Sequence, residues 1–369
     1  MGGKRPVLYS DKGLTQAGLT DKIQRLFKMV PGIQLAGVFG DVTQDAKSSN
    51  INNGLQYFKE CNGDSIIAIG GGSVLDTAKT IKWCLHKRID KIEYALNGNV
   101  MEVWPEAQHM GIPHISIATT AGTGAEISGI SVVYNEQLGV KCNLLHPYIN
   151  SDIANLDPEL TVGLPAKVTA FTGLDALTHA VEGYFSNNSN AMGDAFALHS
   201  ARLIRANLET AVHEGGNVAA RANMLQASAM AITSFVLAFA EMPIHNMAHA
   251  LGAKYGIPHG LANAILMPSV MKHLSPLYLP KIKEFAQAIG IENIADTKEE
   301  CLEQCIAEII ALRKAVDLPD DFSEFNIDPA DIPELIAVVQ NDPSGQTYRM
   351  PVEVIEQVCQ EVIGTKVSV

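Results

Sequence analysis

GDSIIAIGGGSVLDTAKTI, running from Gly63 to Ile81, decides the fold of this chain. Its SIIAIG portion (65–70) is short, apolar and rich in β-branched residues, the composition of a strand buried on both faces. Gly70, Gly71, Gly72 and Ser73 come next, and a segment of helical period begins at once. Glycines let the backbone approach an anion, and the free N–H groups and dipole of a helix N-terminus favour negative charge there, so a phosphate or pyrophosphate is the expected ligand. The run is not GxGxxG and lacks a Walker lysine, which leaves a merely tight strand-to-helix turn open on these residues alone. Asp76 and Lys79, on the first turns of the helix, face either ligand or solvent.

On either side the same rhythm recurs. VLYS (7–10), LAGVFG (35–40) and HISIATT (114–120) have strand length and composition, and helix-sized stretches follow the first three strands of the series. Strand and helix alternating in this way predict a mainly parallel sheet with helices on both faces. TTAGTGAEIS (119–128) follows the strand at 114–120 and offers the hydroxyls of Thr119, Thr120 and Thr123 where ligands of open parallel sheets bind, although an ordinary glycine loop would read the same. Two such loops in one sheet favour a nucleotide. SVVYNEQLGVKCNLL (131–145) departs from the rhythm and reads as a hairpin with its turn at Asn135 to Gly139.

After LDPELTVGLP (156–165) strands all but vanish, and helical segments are expected at about 166–186, 190–211, 217–239, 243–254, 260–274, 278–289, 298–316 and 351–362. The division predicted is therefore an α/β dinucleotide-binding domain over 1–165 and an all-helical metal-binding domain over 166–369, with the active site in a cleft between them. Neither a repeat nor a long linker is present.

Acidic residues outnumber basic ones by thirteen, so nucleic acid and anionic membranes are not expected partners. MGGKRPVLYSDKG at the N-terminus has no apolar core of a secretory signal, and the longest apolar run, Ala229 to Ala240, is interrupted by Thr233 and Ser234 and too short to span a bilayer. A cytoplasmic protein with reduced thiols is expected, its six cysteines being too scattered for a disulfide framework. Cys301 and Cys305 share a helix face, but their segment reads as an ordinary amphipathic helix. A homodimer or larger homo-oligomer acting on a small molecule is expected.

The second half carries a different signal. FTGLDALTHAVEGYF (171–185) is helical by pattern and puts Asp175 and His179 on one face, four residues apart, a spacing at which carboxylate and imidazole can grip one metal ion or bond to each other. PIHNMAHALGAKYGIPHG (243–260) adds His245, His249 and His259. His245 and His249 have the spacing of the zinc-peptidase helix HExxH, but Asn246 occupies the position of its glutamate base, which argues against a peptidase. Two histidine-bearing helices in one apolar domain suggest a shared site between facing helices. Spacing alone selects His245 and His249 as ligands, with His259 outside.

Taken together, GGGSVLDTAK, TTAGTGAE, DPEL, TGLDALTHAVEGY and HNMAHALGAKYGIPHGLANAILMP resemble the iron-containing, or group III, alcohol dehydrogenases, in matching order and spacing from roughly residue 4 to 275. The resemblance implies a Rossmann-like domain that binds NAD and a helical domain that holds one divalent metal through Asp175, His179, His245 and His259. His249 then falls beside the substrate, so His259 replaces it at the metal. On the cofactor side the resemblance implies Gly71, Gly72 and Ser73 at the pyrophosphate, Thr119, Thr120 and Thr123 near adenine and ribose, and Lys141 on a ribose; Asp76 joins the cofactor candidates from its place on the helix after the glycines. Asp11 matches an aspartate facing the adenosine ribose, where a carboxylate accepts from a 2′-hydroxyl and repels a 2′-phosphate, favouring NAD over NADP. A count of about twenty residues past the glycines would instead choose Asp90. Asp45, Ile130 and the segment NDPSGQTYRMP (341–351) depart from the family pattern.

The function implied is a metal-dependent, NAD(H)-linked alcohol dehydrogenase or aldehyde reductase acting on a primary alcohol or diol, with His249 relaying the released proton. Iron(II) fits by resemblance, while zinc, nickel or cobalt suit the same donors. The rivals are a zinc glycerol dehydrogenase-like enzyme or lyase of the same superfamily, and a nucleotide-binding sensor with a structural metal. Phe171, Phe235, Phe239 and Met242 are candidates for an apolar pocket or for core.

Overall fold

A computed structural model describes residues 2–240, 242–346 and 348–363. The chain separates into two compact units: the chain up to Thr120 with Ala125–Leu160, and Ala121–Gly124 with the chain from Thr161 on. The change falls a few residues ahead of 165, and four residues of the second polar loop go with the helical unit.

The first unit runs β1 (Pro6–Asp11), α1 (Lys12–Gln16), α2 (Leu19–Phe27), β2 (Gly37–Val42), α3 (Ser48–Glu60), β3 (Ser65–Gly70), α4 (Gly72–Lys87), β4 (Val100–Met101), β5 (His114–Ala118), β6 (Ile130–Asn135), β7 (Val140–Leu145) and β8 (Ile153–Asn155). Five strands form a parallel sheet in the order β2-β1-β3-β5-β8. Strand alternation explains why these strands read as continuous apolar runs: Val7, Tyr9, Ile66 and Ala68 enter one core, and Leu8, Ile67 and Ile69 enter another, so both faces are covered. The hairpin at 131–145 forms β6 and β7, which pair antiparallel in a second, three-stranded sheet that also takes in β4.

Sequence pattern misplaced or missed some elements. The second strand lies two residues later than 35–40, at Gly37–Val42, and the first helical interval is split at Gly18, whose φ of +76° only glycine adopts readily. β4 and β8 escaped notice because two or three residues carry no measurable period.

The second unit comprises α5 (Ala166–Phe185), α6 (Ala191–His213), α7 (Val218–Leu237), α8 (Pro243–Tyr255), α9 (His259–His273), α10 (Ser275–Tyr278), α11 (Ile282–Ala288), α12 (Lys298–Ala315), α13 (Ile332–Asn341) and α14 (Val352–Val362). α5 packs against α6, α7, α8 and α9, and from Gly173 to Phe185 each of its residues is buried, as expected of a helix apolar nearly all round. Small residues set the spacing. A β-carbon at Gly183 would stand 2.9 Å from the backbone nitrogen of Phe235, and one at Gly260 only 2.4 Å from the carbonyl oxygen of Phe171, so α7 and the start of α9 lie against the α5 backbone. Between α8 and α9, Gly256 closes α8 in the left-handed conformation and Pro258 precedes α9, which puts His259 at the first position of that helix. Cys301 and Cys305 lie on α12 within the helical core, and no two cysteines among the described residues form a disulfide. No helix among the described residues is long and apolar enough to cross a membrane.

Candidate metal centre

Asp175, His179 and Glu182 lie on one face of α5, being four and then three residues apart. Against this face, α8 presents His245 and the N-terminus of α9 presents His259. His245 Nε2 is 3.7 Å and His259 Nε2 3.6 Å from Asp175 Oδ1, and the ligand atoms of the three residues fall within 4.8 Å of one another. These separations exceed hydrogen-bond length and suit donors arranged around one cation. The His179 ring stacks on that of His245, with centroids 4.5 Å apart, and Phe235 meets the His179 ring edge-on at 5.2 Å. His179 is thus brought to the cluster, while the trio with converging donor atoms is Asp175, His245 and His259.

His249 stands one turn beyond His245 on α8. Its ring lies 5.1 Å from that of His259, and its Nδ1 is 3.7 Å from Asp342 Oδ1. Asn246, in the place of a peptidase glutamate, is buried against the segment after α13, where a β-carbon at Gly345 would come within 2.8 Å of its Nδ2. Of the apolar candidates, Phe235 borders the histidines, Phe171 and Met242 are partly buried, and Phe239 is 47% exposed.

Three residues at this site have no counterpart among the candidates read from sequence. Glu182 Oε1 accepts from the backbone nitrogens of Ile244 at 2.6 Å and His245 at 3.3 Å, and Glu182 Oε2 pairs with His245 Nδ1. Asn263, one turn into α9, donates from Nδ2 to Asp175 Oδ1 at 2.7 Å. Asp342, just past α13, accepts from the Ser344 nitrogen at 2.9 Å and from its hydroxyl. The signal for Glu182 and Asn263 was available as helical spacing from Asp175 and His259, whereas nothing local points to Asp342.

Burial and charge polarise the cluster. Burial would raise the Asp175 carboxyl, but His179, His245 and His259 outweigh it and hold it far below the usual carboxylate range. Burial pushes His179 down to about 4 against the opposing pull of Asp175. The same burial would depress His245, yet Glu182 and Asp175 together lift it to about 9. A fixed carboxylate, a neutral imidazole and an imidazole that can give up its Nε2 proton to a metal while its Nδ1 stays on Glu182 form a donor set that fits a divalent cation, whose charge the two buried carboxylates would balance.

In the first unit, β1 feeds β2 on one side and β3 lies on the other, so the sheet changes winding direction between β1 and β3. Ligands of open parallel sheets bind at the carboxyl ends of the strands at such a point. There stand Asp11, which caps α1 by accepting from the Leu14 nitrogen at 2.9 Å, and Gly71, which starts α4 with no side-chain cap. A β-carbon at Gly71 would press on Thr120 at 3.1 Å, and the Thr119 nitrogen donates to the Gly70 carbonyl at 3.1 Å, so the two glycine- and threonine-bearing loops lie side by side, with Asp11 ending the neighbouring strand. Thr123 falls instead within the four residues that group with the helical unit.

Other candidates on this side are committed elsewhere. Asp76 is buried, in an ion pair of 2.9 Å with Lys79, and accepts from the Val132 nitrogen at 3.2 Å. Lys79, fully buried, also donates to the Ile130 carbonyl, so the Ile130 position contributes its backbone. Lys141 Nζ sits 2.9 Å from Asp45 Oδ1, and the Asp45 nitrogen donates to Ser73 Oγ at 3.0 Å. The substituted Asp45 therefore ties two expected cofactor contacts together. Asp90, the choice of a simple residue count, lies beyond α4 in an exposed pair with Lys59.

A parallel sheet that changes winding direction and a helical unit with a buried Asp/His cluster are the parts a metal-dependent oxidoreductase is built from. The sequence profile described as iron-containing alcohol dehydrogenase matches residues 1–158, and that of the C-terminal part of the Fe-containing alcohol dehydrogenase family matches residues 169–362. The chain is 34% identical to 1,3-propanediol dehydrogenase of Klebsiella pneumoniae over 95% of its own length and 88% of that protein's. Its fold superposes on a crystal structure of 1,3-propanediol oxidoreductase with a TM-score of 0.88 at 32% identity, covering 97% and 92% of the two chains. On sulfoacetaldehyde reductase from Bifidobacterium kashiwanohense, solved with NAD+, the TM-score is 0.81 at 25% identity, covering 99% and 92%. The chain belongs to the iron-containing alcohol dehydrogenase family and is a metal-dependent alcohol oxidoreductase.

Proposed function

We propose that this protein interconverts a primary alcohol or diol and its aldehyde with NAD as the redox partner and one divalent metal, iron(II) in the first instance, held by Asp175, His179, His245 and His259. The observation that carries the reading is the convergence of the Asp175, His245 and His259 donor atoms within 4.8 Å inside the helical unit. The metal, when bound, supplies Lewis acidity that favours loss of the alcohol proton, and the nicotinamide supplies the two-electron acceptor.

The chain's own residues do the rest. Asp175 brings a permanent negative charge, and His179, kept neutral by burial, brings a lone pair. His249, held near Asp342 and beside His259, is the group suited to pass a proton away from the substrate oxygen, since imidazole exchanges protons near neutral pH. Phe235 gives the histidines an apolar neighbour that excludes water on its side. At the sheet, the uncapped start of α4 at Gly71 favours a pyrophosphate, and the Asp11 carboxylate favours a free ribose 2′-hydroxyl. The NAD+ complex of the sulfoacetaldehyde reductase supports the same cofactor.

The test is turnover. Protein reconstituted anaerobically with iron(II) should reduce NAD with short primary alcohols or diols. Bound metal and bound NAD without turnover of any of them would point to a nucleotide sensor with a structural metal and overturn the proposal.

A further inference from the structure

We propose that Glu182 is a positioning residue that fixes which nitrogen of His245 faces the metal. The inference rests on the metal reading of the site. A neutral imidazole carries one N–H, and only the other nitrogen has a lone pair to give. Glu182 Oε2 pairs with His245 Nδ1, which makes Nδ1 the protonated nitrogen and leaves Nε2 directed at Asp175 Oδ1, 3.7 Å away. His245 Nε2 is itself buried and has no hydrogen-bond partner within the described residues, which leaves it as the nitrogen a cation would claim.

The other carboxylate oxygen anchors the backbone of the same residue. Oε1 accepts from the nitrogens of Ile244 and His245, in the first turn of α8, where the N-cap residue Met242 supplies no side-chain bond. Those nitrogens have no intrahelical acceptor, so an outside oxygen is required. One buried carboxylate on α5 therefore sets both the ring orientation and the helix start that aims it, seven residues from Asp175 on the same helix face. Carboxylates that hold the far nitrogen of a ligating histidine commonly change metal affinity ten- to a hundredfold when removed.

The two roles separate in Glu182→Gln. Glutamine keeps one oxygen acceptor, enough for the helix start or for Nδ1–H but not for both, and its amide NH2 cannot accept. Wild type and E182Q would be titrated with cobalt(II) alone, following the d–d absorption and competing with a chelator. The expected result is a ten- to hundredfold weaker cobalt site with altered d–d bands, in a protein of unchanged far-UV circular dichroism. E182Q that matches wild type in affinity and spectrum overturns the inference while leaving the metal reading intact. A wild-type chain that takes up no cobalt overturns both. Should E182Q fail to fold, nitrogen-15 histidine NMR of zinc-loaded wild type decides: metal on Nε2 with the proton on Nδ1 of His245 supports the inference, and metal on Nδ1 overturns it.

Discussion

His249 Nδ1 lies 3.7 Å from Asp342 Oδ1, with both side chains buried in the helical unit. Burial would raise the Asp342 carboxyl, but His249 and the two donors of Ser344 outweigh it and hold it below the ordinary aspartate value. The carboxylate is thus a standing anion beside the imidazole. Asp342→Asn keeps the shape and removes the charge; it is expected to lower kcat about tenfold with the metal content unchanged, read by steady-state kinetics and metal analysis. Loss of metal in step with activity would place Asp342 in the support of the cluster instead.

The two histidines revised against each other should behave differently on truncation. His259→Ala is expected to lose metal, because it removes a donor 3.6 Å from Asp175 Oδ1. His249→Ala should retain metal and lose roughly a hundredfold in rate. Plasma emission analysis with turnover assays on both variants distinguishes them, and the reverse pattern would restore the spacing-based choice of His249 as ligand.

Gly260 is a position where one methyl group has nowhere to go. Gly260→Ala would set a β-carbon 2.4 Å from the Phe171 carbonyl oxygen and 3.2 Å from Asp175 Cβ. The start of α9 must then shift away from α5, at a cost of about 1–3 kcal/mol. A lower melting temperature together with weaker metal binding is expected in calorimetry, since His259 moves with the same turn.

Cofactor choice is expected to follow Asp11 at the end of β1. Asp11→Gly should raise kcat/KM for NADP relative to NAD, by removing a carboxylate that repels a 2′-phosphate. Asp90→Ala is the control, exposed and paired with Lys59, and should leave the ratio unchanged. A change with the control alone would sink the assignment of Asp11.

Glu126 gives the first unit a pH signature. Burial pushes its carboxyl up to about 7, against the opposing pull of its own backbone N–H and then of Lys79. A folded pKa above the unfolded value means the native state binds more protons between them, so stability falls as pH rises from about 4.5 to 7 and then levels, by an amount on the order of 3 kcal/mol. The buried His114 works oppositely, its depressed pKa removing stability as pH falls below about 6.5. Denaturant melts from pH 5 to 8 should show the decline in wild type and a shallower one in Glu126→Gln; parallel curves would refute the assignment.

The legibility of this protein followed length scale. The parallel sheet was readable because each of its buried strands is a run of apolar residues ended by a turn, and the long helices because their period persists over several turns. β4, β8 and α13 were not, the first two for want of length and α13 because its segment, Ile332–Asn341, follows a proline- and aspartate-rich stretch that reads as loop. At the site, Asp175 with His179 is a helical spacing and so is visible in one dimension. The choice between His249 and His259 is not, because it depends on where the turn at Gly256 and Pro258 sends the chain. Asp76 shows what one dimension does not record: a polar residue near a glycine loop also forms a buried ion pair with Lys79.

The α/β-then-helical order of elements, the glycine loop after β3 and the residue types of the Asp/His cluster are legible in one dimension, because they are local matters of period, backbone freedom and spacing. The tertiary structure alone decided which side chains meet. Glu182 reaches His245 across sixty-three residues of chain, Asn263 reaches Asp175 across eighty-eight, and Asp342 reaches His249 from beyond α13. Such pairs form because close-packed helices, brought together at Gly183 and Gly260, bury polar groups that must then find partners, and no periodicity in the chain records which partner is nearest.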